Sequence, residues 1–132
     1  MEIADAEPIP FPGFDKLVLD HAQLQSVMRE HCYASWRTAL ASVAGVYLIT
    51  DTRDGRQDVG KADGVESISM RWSAYATNGH GGNVELGNVD ATSFRFSLLR
   101  VFDPATPTRE IDAAERYFKL ALDTRRHGLN GN

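Results

Sequence analysis

Between Gly45 and Lys61 the polar and apolar residues follow the pattern of a β-hairpin. Gly45-Val46-Tyr47-Leu48-Ile49-Thr50 is rich in the β-branched and aromatic side chains that suit a pleated, half-buried surface. Asp54-Gly55 supplies a polar turn with a positive-φ position, and a second short strand runs from Gln57 to Ala62. Asp58 stands in the middle of that strand, where a short charged residue is disfavoured, and Gly60 brings no side chain to pack. Something other than sheet stability is expected to set both positions.

Ahead of the hairpin, residues 1–14 include three prolines in EPIPFPGF and read as an extended lead-in. Leu17-Val18-Leu19 reads as a short strand or a docking segment. Asp20 is the expected N-cap of a helix over roughly His21–His31, with Leu24, Val27 and Met28 at helical spacing. A second helix over about Ser35–Val43 places Trp36, Leu40 and Val43 on one face. Both helices are expected to cover the sheet.

Beyond the hairpin, Val65 to Ala76 predicts a helix with Val65, Ile68, Trp72 and Ala76 as its apolar stripe. Arg71 and Tyr75 lie four residues apart along one edge of that stripe. Asn78-Gly79-His80-Gly81-Gly82-Asn83 is a glycine-rich loop with one imidazole. Ser93 to Phe102 is the clearest strand, Phe94, Phe96 and Leu98 alternating with Arg95, Ser97 and Leu99, and Asp103-Pro104 ends it. A last helix is expected from Thr106-Pro107 to about Thr124. At 100° per residue Ile111, Ala114, Phe118 and Leu122 share one sector, and Glu115 falls inside it. A carboxylate aimed at a core is costly unless a cation or several donors meet it, so Glu115 is the strongest physical hint of a site. The tail Gly128-Leu129-Asn130-Gly131-Asn132 returns as a glycine-rich coil.

Composition narrows the class. A chain of 132 residues is expected to form one domain with a core of its own. No apolar run approaches membrane-spanning length, and Glu2, Asp5 and Glu7 make the start of the chain unlike a secretory signal. The lone Cys32 permits no internal disulfide and fits a reducing compartment, so a cytoplasmic protein is expected. A net charge of −4 argues against a blanket electrostatic DNA-binder. The Arg125-Arg126-His127 cluster reads first as a solvated helix end.

These pieces, in this order, resemble the GIY-YIG nuclease superfamily over roughly Gly45 to Asn130. Gly45-Val46-Tyr47 matches the first signature, and Asp58-Val59-Gly60 stands at the second, eleven residues on. Arg71 then lies on the following helix, Glu115 on a later one, and Asn130 in the closing coil. The resemblance implies an α/β (α+β) fold, a small, mainly antiparallel three-stranded sheet flanked by helices. Residues 1–44 would form a lead-in with covering helices and residues 45–132 the nuclease-like part, in one compact unit.

The resemblance also implies roles. Tyr47 matches the tyrosine thought to orient or deprotonate the attacking water. Arg71 matches the arginine that holds the scissile phosphate, a task suited to a planar, permanently charged guanidinium. Glu115 matches the sole protein ligand of a divalent metal, Mg²⁺ or Mn²⁺, whose shell is completed by water and phosphate. Lys61 and Tyr75 match polar positions of the repair nucleases, Asn130 a residue that steadies the site, and His80 a histidine of the homing enzymes. DNA is the implied partner, and RNA stays open because no base-reading element is visible. Asp58 replaces the family's second tyrosine: a carboxylate only accepts hydrogen bonds and adds negative charge near a phosphodiester. The expectation is a slow, inactive or diverged nuclease.

Each residue alone has a plainer reading. Tyr47 and Tyr75 serve as packed aromatics, Arg71 as a helix-face charge and Lys61 as a strand-end solubiliser. Glu115 serves in a structural ion pair, and His80 and Asn130 as loop and turn residues.

Overall fold

The computed structural model describes residues 7–79 and 90–131. The hairpin forms as its pattern dictates. Strand β2 covers Ala44–Asp51 and β3 Gln57–Ala62, paired antiparallel with Tyr47 opposite Gly60 and Ile49 opposite Asp58. Gly55 turns the chain at φ 82°. Strand β4, Phe94–Phe102, pairs with the other side of β2, and β1, Val18–Asp20, pairs with β4. The sheet thus has four antiparallel strands in the order β1-β4-β2-β3, where three were expected. The extra strand is the segment around Val18, whose buried Leu19 faces Phe96 across the ladder. Its three residues are too short for periodicity alone to separate a strand from a docking segment.

Five helices are present among the described residues. Helix α1, His21–Arg29, begins at the expected cap: Asp20 accepts from the Gln23 amide, and the Gln23 side chain accepts from the Asp20 amide. Helix α2, Ala34–Ala41, buries Trp36 and Leu40. Helix α3 spans Ile68–Asn78 and starts later than its apolar stripe suggested. Ser67 caps it by accepting from the Met70 amide, and Val65 lies outside the helix, 95% exposed. The hydroxyl cap outweighed one apolar residue a turn earlier.

Helix α4, Thr108–Ala121, lacks the expected Thr106 cap and stops short of Thr124. Asp123 adopts a left-handed conformation there, φ 56°, and a separate turn, α5, Thr124–His127, follows. Leu122, expected in the buried sector, lies beyond the helix and is exposed.

Two cores follow from the alternation along the strands. On one face Tyr47, Ile49, Phe94 and Phe96 meet Trp72 and Tyr75 of α3 and the apolar residues of α1 and α2. On the other, Ala44, Val46 and Val59 meet Ile111 and Ala114 of α4. One irregularity lies beside Tyr47. Its neighbour Val46 pairs with Arg100 while Tyr47 pairs with Leu98, so Leu99 bulges out of the ladder. The parity of β4 therefore switches, and both Leu99 and Phe102 pack on the α4 face.

The lead-in is pinned as well: Trp36 Nε1 donates to the Ile9 carbonyl and the Phe11 and Trp36 rings meet edge to face. No described helix is long and apolar enough to cross a membrane.

Candidate functional site

Edge strand β3 organises the candidate residues. Alternation puts Asp58 and Gly60 on the α3 face, opposite Ile49 and Tyr47, and Val59 and Lys61 on the α4 face. Gly60 has a packing role after all. A Cβ there would stand 2.5 Å from the Tyr47 ring and hydroxyl, so the bare backbone leaves the space that the phenol fills.

On the α3 face, four elements converge. The hydroxyls of Tyr47 and Tyr75 lie 3.1 Å apart, and both rings pack edge-on against their aromatic neighbours. The Arg71 guanidinium lies beside the Tyr47 hydroxyl, with its Cζ 5.9 Å from the Tyr75 ring centre. Arg71 Nε is buried and finds no acceptor among the described residues. Asp58 joins from β3, where Asn130 Nδ2 donates to its carboxylate at 2.9 Å. The Asn130 side chain also clasps the edge of β3, accepting from the Val59 amide and donating to the Val59 carbonyl. Tyr47, Asp58 and Tyr75 are at most 1% exposed, and half-buried Arg71 is the member of the group nearest to solvent.

Burial pushes both phenols above their ordinary value, and their mutual bond adds to this for Tyr75. Arg71 pulls the other way on each without reversing it. At neutral pH Tyr47 and Tyr75 therefore stay protonated, one hydroxyl donating to the other, and neither is poised to remove a proton.

On the α4 face Lys61 is met by two carboxylates. Its Nζ lies 2.9 Å from Asp63 and also pairs with Asp112 on α4. Burial works to lower its pKa, yet Asp112 and Asp63 hold it above the ordinary lysine value, so Lys61 remains a cation. Glu115 stands one turn further along α4, its side chain 18% exposed and 3.8 Å from Lys119 Nζ, a residue four positions on that is itself buried. At that distance Lys119 is an ion-pair partner, not a hydrogen-bond donor.

The structure therefore brings together Tyr47, Asp58, Arg71, Tyr75 and Asn130 on the α3 face, whereas Lys61 of β3 and Glu115 of α4 stand apart from them on the opposite face of the sheet. His80 lies outside the described residues. Sequence reasoning passed over Lys119 and Asp112; a basic residue four positions after Glu115 and an acid three before it were the available signals.

Among the described residues no group of three or more His, Cys, Asp or Glu side chains is placed to hold a metal ion. A single carboxylate remains a fitting ligand for Mg²⁺, which keeps most of its waters, and Glu115 is partly open to solvent. Comparison with protein-family models, with curated proteins and with solved structures finds no match to this chain, so the reading of its site rests on the side chains themselves.

Proposed function

We propose that this domain is a GIY-YIG-type endonuclease that hydrolyses phosphodiester bonds in DNA with the help of one divalent metal ion, Mg²⁺ or Mn²⁺. The observation that carries the reading is the Arg71 guanidinium, set beside two protonated phenols with a buried N–H left without an acceptor. A fixed cation flanked by hydroxyl donors suits the oxygens of a phosphodiester. A buried donor without a partner is unusual in a packed interior, and an anion held by the same guanidinium gives it a function.

In this reading Arg71, the member of the group nearest to solvent, holds the phosphate, and the buried Tyr47–Tyr75 pair positions its guanidinium. Lys61 is neutralised by Asp63 and Asp112 on the other side of β3 and is given no part in holding the phosphate. Glu115 would hold the metal ion, which supplies electrostatic stabilisation of the charge developing on the leaving oxygen. Asn130 keeps the Asp58 carboxylate turned toward the tail.

Asp58 favours a second reading, a DNA-binding or interaction module that kept the fold and lost turnover. Plasmid nicking with and without Mg²⁺ or Mn²⁺, by the parent and by Glu115→Gln, separates the two. The nuclease is expected to nick only with metal, and the variant to lose this by about a hundredfold or more while keeping its affinity for a DNA duplex. A parent chain that nicks with neither metal sinks the catalytic reading and leaves the binding module.

A further inference from the structure

The chain contains two Asn-Gly pairs, Asn78–Gly79 and Asn130–Gly131. A glycine after asparagine leaves its own peptide nitrogen unhindered by a side chain, so that nitrogen can reach the asparagine carboxamide. In the first pair it is committed elsewhere: Gly79 is buried, and its amide closes α3 on the Tyr75 carbonyl at 2.7 Å. Gly131 is exposed, one residue beyond the clasp on β3. The Asn130 carboxamide is held by that clasp, accepting from the Val59 amide at 2.8 Å and donating to Asp58 at 2.9 Å and to the Val59 carbonyl at 3.0 Å. It is shielded while the tail is seated and open to attack whenever the tail lifts.

We propose that Asn130–Gly131 is a site of spontaneous deamidation, gated by release of the tail, and that reaction there unclasps β3 permanently. The modification needs no catalysis and stands apart from the nuclease reading. The Gly131 nitrogen gives its proton to solvent and forms a C–N bond to Asn130 Cγ, and Nδ2 takes up a proton and leaves as ammonia. Water then opens the resulting succinimide at one carbonyl or the other, leaving aspartate or isoaspartate.

Neither product can resume the clasp. A carboxylate has no N–H to give to Asp58 or to the Val59 carbonyl, and it would return to a buried position beside a second carboxylate, where like charges are disfavoured. Isoaspartate also carries the main chain through its side-chain carbon, so the group that reached β3 is gone. Each opening of the tail therefore either recloses unreacted or ends in a chain whose sheet edge stays bare.

The test is mass spectrometry of the full chain aged in mildly alkaline buffer, folded and in urea. The readout is the tryptic peptide His127–Asn132, with fragment ions placing the mass gain on Asn130. The folded chain is expected to react about 10- to 1,000-fold more slowly than the unfolded one, the range set by three hydrogen bonds. Gly131→Val, which crowds the attacking nitrogen and leaves the Asn130 side chain unchanged, should all but stop the reaction in both states. Hydrogen exchange at the Val59 amide should speed up about tenfold or more in reacted parent chains and in Asn130→Asp. Should that variant fail to fold, the aged parent still gives the answer. Equal rates in the folded and unfolded chain overturn the gate, and a folded rate beneath that range overturns the site. Val59 protection unchanged in reacted chains overturns the unclasping.

Discussion

Gly60 and Tyr47 show how one side chain depends on another's absence. The Tyr47 ring lies over Gly60 because nothing projects from that position, and the Tyr47–Tyr75 hydroxyl pair depends on the ring staying there. Gly60→Ala is expected to cost about 1–3 kcal/mol, the range for forcing extra volume into a packed core. Urea unfolding gives the answer, and a midpoint equal to the parent's within error would mean that the ring has room to move. Glycine in a strand is legible in sequence as a close approach, but not what approaches. Asp58 is similar. Its misfit in a strand is visible in the chain, whereas the amide that meets it comes from Asn130, seventy-two positions away. Side chains that satisfy one another over such separations leave no local pattern to read.

Among the elements, those with a strong local signal stand where their periodicity puts them: the β2–β3 hairpin, α1 with its Asp20 cap, and β4 up to its bulge. The elements that shifted did so for reasons outside their own windows. Helix α3 starts at Ser67 because a cap governs the boundary, and the chain after α4 turns at Asp123 to bring the tail back to β3. The Leu99 bulge depends on the pairing with β2, which no period within β4 announces. At this scale the tail is the element to test. Leu129 donates from its amide to the Gln57 carbonyl, and Asn130 makes three hydrogen bonds to β3. Asn130→Ala strands the buried Val59 amide and should cost about 1–3 kcal/mol. Hydrogen exchange at Val59 is the sharper readout: an exchange rate unchanged in the variant would show that the tail does not protect the edge.

For the molecule as a whole, the acid limb of stability has an identifiable contributor. Asp51 ends β2 fully buried, where it accepts from the Arg53 backbone and side chain and from the Ser93 hydroxyl, tying the hairpin turn to the residue just ahead of β4. The Arg53 hydrogen bonds lead in holding its carboxyl far below the ordinary value of 3.8, although burial opposes them. A carboxyl depressed in the folded state stabilises it fully above the unfolded value, and that contribution is lost as pH falls through the folded one. Stability should therefore decline as pH drops below about 4, where the unfolded chain takes up the proton first. Asp51→Asn is expected to be less stable at pH 7 and to lose less stability between pH 4 and pH 2. Parallel urea midpoints for parent and variant across that range would remove Asp51 from the account. Arg53 is half exposed, so solvent tempers what the ion pair itself contributes.

The clasp of Asn130 on β3 also bears on how the chain is made. Synthesis runs from the amino end, so the hairpin and β4 emerge while the outer border of the sheet is still bare. Until residues 129 and 130 arrive, that border exposes the Val59 amide and the Gln57 and Val59 carbonyls, a template for pairing with a neighbouring nascent chain. Emergence of residues 129 and 130, not completion of the last helix, is then the moment at which this sheet becomes safe from its own copies.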